Sequence, residues 1–184
     1  SDQWEETQDL EQVIERFRLA VQQQGIRRVE GHVIGDATWW GTAAGGATWQ
    51  WNDLGNYYAA GAWALNLHEN FYYLHFQQTG KLGATPRIAN IEPDIPGLSF
   101  YNEVTSAGRG TGDNAYIYGA PYTYLRFVRG AIPVGGGRFT IKGAIPDPPL
   151  FAAQQLQAGL QSVGILSSKG AGSLFELNGE GFQE

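Results

Sequence analysis

The chain has 184 residues, a formal net charge of -6 and an apolar fraction of 42%. This length forms one sizeable domain, or a domain with a smaller insertion, and the apolar fraction is enough for a packed core. The acidic balance argues against a nucleic-acid binder, which would need a basic face, and the absence of cysteine excludes disulfides, thiolate metal sites and cysteine nucleophiles. No apolar stretch is long enough to predict a transmembrane segment.

The first predicted element is a helix over residues 9–24. Asp9, followed three residues later by Gln12, resembles a capping box. Gly25 predicts the end of the helix, because glycine readily takes the left-handed conformation found there. Residues 28–34 then alternate in the manner of a strand that ends in a turn. The side chains that form the apolar stripe of the helix are Leu10, Val13, Ile14, Phe17 and Val21.

A second helix is predicted near the other end of the chain. Pro148 and Pro149 suit a helix start, an apolar stripe follows them, and Gly164 repeats the glycine exit of the first helix. We expect the two helices to pack on the same sheet. The tail from Ser167 onward is rich in glycine and serine, which predicts a fraying end with at most one short strand near residues 174–177.

The region between the helices favours strands, because aromatic and β-branched residues are concentrated in it. Three glycines at positions 135–137 predict a hairpin turn whose arms include residues 124–128 and 138–141. The other stretches predicted as strands are residues 71–76 and 115–118, and the strand that includes the first arm of the hairpin is predicted over residues 122–128.

Together these elements predict an α+β fold, in which one or more layered sheets are packed by two helices and a β-rich insertion lies between the helices. We treat residues 1–184 as one region. Within it, residues 1–40 and 134–184 are expected to form an α/β part, and residues 41–133 a β-rich excursion.

The sequence lacks a well-defined set of motifs for catalysis by a nucleophilic serine. A class of serine enzymes builds its nucleophile and base from Ser-x-x-Lys, supported by Ser-x-Asn and Lys-Thr-Gly. None of the three motifs occurs here, and the lysines Lys81, Lys142 and Lys169 are preceded at the third position by Gln78, Phe139 and Leu166. We therefore predict no catalytic residue and no cofactor-binding residue.

Two other patterns have simpler interpretations than a chemical site. His68, Glu69 and His75 lack the helical register of a His-Glu-x-x-His metal motif, so we predict no metal site and interpret His75 as a packed, hydrogen-bonded residue. The glycine-rich stretch 108–113 precedes a predicted strand and not a helix, which indicates a flexible loop and not a phosphate-binding loop.

Tryptophan and tyrosine are concentrated between residues 39 and 63. The faces of such rings stack on sugars when several of them are coplanar along one open groove, so a stand-alone carbohydrate-binding module is one hypothesis. Because large aromatic side chains are mostly buried, we favour an interpretation in which most of these rings lie in the core or at a domain interface. The cluster consists of Trp39, Trp40, Trp49, Trp51, Tyr57, Tyr58 and Trp63, and the candidate ligand or interface aromatics are Trp49, Trp51, Tyr57, Tyr58 and Trp63.

Several of these segments occur in a characteristic order. The run VEGHVIGD at residues 29–36 is followed by WQWNDLGNYY at 49–58 and ALNLHEN at 64–70, and residues 139–146 with the second helix close the pattern. In order and spacing the chain resembles the class C low-molecular-mass penicillin-binding proteins, which are D-alanyl-D-alanine carboxypeptidases and endopeptidases. The resemblance covers about residues 7–165.

The resemblance implies that the chain is the insert that separates the Ser-x-x-Lys helix of these proteins from their Ser-x-Asn and Lys-Thr-Gly elements. The parent enzyme would act on peptidoglycan peptides through an acyl-serine intermediate. The implied partner is the catalytic domain of the same parent, with peptidoglycan peptides or glycan as further candidates. The implied location is the periplasm, or otherwise outside the cytoplasmic membrane.

Overall fold

The computed structural model describes residues 9–40, 45–46 and 48–174, and contacts divide the chain into two compact units. In these residues two α-helices, ten strands and three short 3-10 helices are present, which confirms the predicted α+β class. The described residues of the first unit are 9–40, 63–68 and 148–174, and those of the second unit are 45–46, 48–62 and 69–147. The elements in chain order are α1 (Leu10–Gln23), β1 (Arg28–Val29), β2 (His32–Gly35), β3 (Phe71–Gln77), β4 (Arg87–Glu92), β5 (Ser99–Ala107), β6 (Asn114–Tyr118), β7 (Leu125–Pro133), β8 (Arg138–Ala144), α2 (Pro148–Gln161), β9 (Leu166–Ser167) and β10 (Gly170–Ser173).

The first unit is a thin α/β layer. Strand β1 pairs in parallel with β9, and β2 pairs in parallel with β10. Helix α2 packs on β2 and β10, and α1 packs on α2. A Cβ atom at Gly35 would lie 1.9 Å from the carbonyl oxygen of Pro149, so glycine is what lets β2 meet the start of α2 backbone to backbone. The apolar stripe of α1 contains no fully buried side chain.

The ends of both helices largely follow the sequence signals. Gly25 and Gly164 take left-handed φ angles of 71° and 81° just past α1 and α2, as predicted. Asp9 occupies the N-cap position of α1, but its side chain makes no capping hydrogen bond, so the predicted capping box is wrong. Gly31, at a φ angle of 140°, divides the strand predicted over residues 28–34 into β1 and β2.

The second unit contains two three-stranded sheets. Sheet one has the order β4-β3-β8 with antiparallel neighbours. Sheet two has the order β5-β7-β6, in which β7 is parallel to β5 and antiparallel to β6. Side chains with no exposed surface come from both sheets and form the core: Tyr72, Leu74, Phe76, Val104, Ile117, Val128 and Ile132.

The predicted hairpin across residues 135–137 is wrong. Strand β7 lies at the centre of sheet two, and both of its edges are already paired, one with β5 and the other with β6. Strand β8 instead pairs along its whole length with β3. The three glycines therefore connect strands of different sheets. For the same reason contacts place residues 134–147 in the second unit, whereas the predicted division assigns them to the first part.

The prediction of a fraying tail from Ser167 is wrong for residues 167–173. Strands β9 and β10 lie there, and they supply the parallel partners of β1 and β2. The strand predicted at 174–177 lies, from residue 175 onward, outside the described residues.

Candidate functional site

Most of the aromatic cluster lies on the surface. In the first unit Trp39 and Trp40 are 88% and 65% exposed, and Trp63 alone among the seven rings is buried. In the second unit the exposed fractions of the remaining four rings lie between 41% and 60%, for Trp49, Trp51, Tyr57 and Tyr58. Six of the seven rings keep a large exposed area, so the prediction that most of them lie in the core is wrong for this chain, and their position at a domain interface stays a prediction.

One cation is held among aromatic rings on the side of sheet one opposite to Tyr72 and Leu74. The register of β3 and β8 places Lys142 directly opposite Tyr73. The Lys142 ammonium lies 4.7 Å from the ring centroid of Phe71, 5.3 Å from that of Tyr57 and 5.4 Å from that of Tyr73. These distances are within the range of cation–π attraction. We call the cluster of Lys142 with the exposed Tyr57, the half-buried Tyr73 and the buried Phe71 the Lys142 face.

The rings of the Lys142 face stand at steep angles to one another. Phe71 and Tyr73 meet edge to face, with centroids 5.3 Å apart and an interplanar angle of 90°. Tyr57 makes angles of 73° with Phe71 and 76° with Tyr58. Edge-to-face packing is favourable for the rings themselves, but it does not create a flat platform. The coplanar groove that a carbohydrate-binding module would need is absent from these four rings.

His75 closes the Lys142 face on one side. It is only 5% exposed, its ring is stacked on Tyr73, and Nδ1 lies 2.8 Å from the hydroxyl oxygen of Thr140. Nε2 lies 3.4 Å from a carboxylate oxygen of Glu92. The interpretation of His75 as a packed, hydrogen-bonded residue is confirmed. His68 and Glu69 lie in the turn before β3, and the described residues contain no group of three His, Asp or Glu side chains arranged for a metal ion.

A buried arginine supports the same unit from within. Arg126 is 1% exposed and donates from Nη1 to the carbonyl oxygen of Ala120 at 2.7 Å. Burial lowers the pKa of its guanidinium and raises the pKa of the Tyr72 phenol. Gly119 makes room for this side chain, because a Cβ there would lie 2.1 Å from Nη1. Arg126 was not singled out from sequence, although the alternation of β7 places it on the buried face with Val128.

The first unit contains an apolar groove. The groove has a volume of about 360 Å³ and lies between α1, β2 and α2. Its lining includes Val13, Phe17, Val33, Leu67 and Leu156.

The glycine-rich stretch 108–113 in the second unit joins strand β5 to strand β6, so it does not precede a helix. Gly110 and Gly112 have left-handed φ angles, and the stretch is a loop as predicted.

Comparison with known proteins gives a consistent result. The model of the D-Ala-D-Ala carboxypeptidase 3 (S13) family matches residues 2–173. Among solved structures, the chain is similar to penicillin-binding protein 4 (dacB) from Haemophilus influenzae, with a TM-score of 0.69 and 21% identity over 90% of this chain and 36% of that one. The same Haemophilus influenzae protein complexed with a novel beta-lactam gives a TM-score of 0.60 and 15% identity over 89% of this chain and 33% of that one. A search of curated proteins found no match.

Proposed function

Because the chain belongs to the D-Ala-D-Ala carboxypeptidase 3 (S13) family, we propose that it is the non-catalytic insert of a serine-type D-Ala-D-Ala carboxypeptidase that acts in peptidoglycan maturation. One observation carries this proposal: the family model matches residues 2–173, yet Ser-x-x-Lys, Ser-x-Asn and Lys-Thr-Gly are all missing from the sequence. An acyl-serine mechanism needs a nucleophile with a base beside it, and this chain supplies neither in that form.

The length of the structural relatives supports the same proposal. The chain spans about a third of each Haemophilus influenzae penicillin-binding protein 4 chain that it resembles. The catalytic domain of the same parent is accordingly the principal partner that we propose, with an extracytoplasmic location. None of the described helices has the length and apolar character that a bilayer crossing requires.

The role we assign to the insert is to shape access to the catalytic domain, or to orient that domain on the cell wall. The exposed aromatic side chains of the second unit, Trp49, Trp51, Tyr57 and Tyr58, are the surface proposed for these contacts. Exposed aromatic rings are enriched at protein interfaces, because they bury a large apolar area at a small entropic cost. The steep angles between Tyr57, Tyr58 and Phe71 do not favour the alternative of a stand-alone carbohydrate-binding module.

Intact-mass analysis after incubation with benzylpenicillin tests the non-catalytic part of the proposal. We expect no acyl adduct on the 184-residue chain, and an adduct on full-length Haemophilus influenzae penicillin-binding protein 4 under the same conditions. A stable adduct on any serine of this chain would overturn the proposal.

A chimera tests the relation to a catalytic domain. This chain would replace the matching third of the Haemophilus influenzae protein, beside a variant in which that third is replaced by a short flexible linker. We expect the chimera to release D-alanine from a D-Ala-D-Ala peptide faster than the linker variant. Equal rates in two variants that are both acylated by penicillin would show that the region contributes nothing to the catalytic domain.

A further inference from the structure

We propose that the Lys142 face binds a peptide carboxylate, with Lys142 as the cation that holds it and the exposed parts of Tyr57 and Tyr73 as the contact surface for the adjoining part of the peptide. The choice of a peptide ending in D-Ala-D-Ala as the ligand rests on the proposed function. The site itself rests on the geometry of Tyr57, Phe71, Tyr73 and Lys142.

The first reason is that aromatic rings hold the Lys142 ammonium in place, while no carboxylate of the described residues forms an ion pair with it. Three rings attract it through their faces, but an aromatic ring does not replace the oxygen acceptors that an ammonium group has in water. Among the described residues Lys142 has no hydrogen-bond or ion-pair partner. Its three N–H donors are therefore available to an anion that approaches from solvent.

A second cation of the same unit shows the contrast. Arg129, on sheet two, lies 5.9 Å from the ring centroid of Phe127 and also forms an ion pair with Glu103. On the Lys142 face the nearest carboxylate in register is that of Glu92, which lies on the opposite side of Tyr73 and is oriented toward His75. One cation–π cluster thus contains its own anion, and the other does not.

The second reason is that the rings are held in place before any ligand arrives. Tyr73 packs edge to face with Phe71 and is stacked on His75, and His75 is in turn held by Thr140. A rigid contact surface loses little conformational entropy on binding. Tyr57, which is 49% exposed, offers its free side to the ligand.

The shape of the surface selects among anions. Because the rings stand at 73° and 90° to one another, they form a notched surface and cannot stack together on one flat sugar ring. A chain-end carboxylate is narrow enough to reach an ammonium in such a notch, while small side chains such as that of alanine contact the ring edges. This geometry favours a peptide terminus over a neutral glycan.

An NMR titration of the 184-residue chain tests the proposal. The probes are a short N-acetylated peptide ending in D-Ala-D-Ala, the same peptide as its C-terminal amide, and a neutral glucan oligosaccharide. We expect the acid to shift the amide signals of β3 and β8, and to bind at least about fivefold more tightly than the amide, because a charge-assisted hydrogen bond is lost in the amide.

Variants make the test specific for one side chain. Lys142→Gln should weaken binding of the acid by about fivefold or more, whereas Lys142→Arg should retain most of it. Lys81→Gln is the matched control, since Lys81 lies in an exposed turn of the same unit and away from the rings. Near-ultraviolet circular dichroism checks that the rings keep their packing in each variant.

Several results would overturn the proposal: equal binding of acid and amide, undiminished binding by the Lys142→Gln protein, or a response to the glucan alone. None of them bears on penicillin acylation or on the chimera, so this inference can fail while the proposed function stands. Failure of the proposed function would leave the carboxylate titration interpretable as a property of the isolated surface.

Discussion

The two units of this chain achieve burial in different ways. The second unit has strands of up to nine residues, and side chains from both of its sheets have no exposed surface. The first unit relies on strands of two and four residues, and its helix α1 has no fully buried side chain. Two-stranded sheets are marginal by themselves and need helices to cover them. The comparison teaches that the second unit builds its core from the long strands of two sheets, whereas the core of the first unit depends on α2, where Phe151 and Leu160 are buried, and leaves Phe17 of α1 exposed.

The largest expected effect contrasts two phenylalanines. Phe76 in β3 has no exposed surface, whereas Phe17 in α1 is 57% exposed. Phe76→Ala should lower the free energy of unfolding by about 3–5 kcal/mol, because it leaves a cavity in a closed core. Phe17→Ala should cost less than about 1 kcal/mol. Chemical denaturation of both variants measures the difference, and equal losses would show that the units do not differ in the way described.

A smaller loss of stability is expected from a change at the close contact between β2 and α2 in the first unit. The contact between Gly35 and Pro149 leaves no space for a methyl group, so Gly35→Ala should cost about 1–3 kcal/mol through displacement of β2 from α2. Gly136→Ala is the control, since nothing lies within 4 Å of the Cβ position there. Hydrogen exchange should show faster opening of β2 and β10 in the first variant only. Unchanged exchange in β2 would mean that the two backbones move apart without cost.

The smallest expected effect is a loss of folding stability at alkaline pH. Burial, with a further contribution from the charge of Asp147, raises the pKa of Tyr122 to about 12. A tyrosine in an unfolded chain ionises near pH 10, so between about pH 10 and pH 12 the unfolded state loses this proton while the folded state retains it. Stability is therefore lost as the pH rises through this window.

Tyr122→Phe should make the alkaline decline in the urea midpoint shallower, with Tyr101→Phe, at an exposed position, as the control. The raised pKa of buried Tyr72 acts with the same sign, so some decline should remain in the Tyr122 variant. An identical decline in the wild type and in the Tyr122 variant would contradict the assignment.

Local sequence patterns predicted the elements that they encode directly. The apolar stripes and glycine exits place α1 and α2 within one or two residues of their observed bounds, because helix periodicity and capping are local properties. Strand β3 was also recognised, because nearly every side chain in it is apolar or aromatic. Strands β4 and β5 were not predicted. Polar residues alternate through β5, so its apolar face is short and interrupted.

Pairing and exposure could not be obtained from the sequence in the same way. Strand β7 pairs with β5 in parallel and with β6 in antiparallel, whereas the local glycines favoured β8. The Lys142 face depends on the register of Tyr73 with Lys142, which no local pattern encodes. The aromatic rings were expected to be buried because a sequence shows the apolar area of a side chain, but it does not show which neighbours cover that area.

The discontinuity of the first unit has a consequence for synthesis on the ribosome. Residues 45–147, which include the described strands of the second unit, emerge before α2, β9 and β10 exist. The second unit can therefore complete its sheets while β1 and β2 still lack their parallel partners. When residue 147 has left the ribosome, the second unit can be folded while the amphipathic helix α1 is still uncovered, and this helix is the segment that a chaperone would have to shield until α2, β9 and β10 emerge.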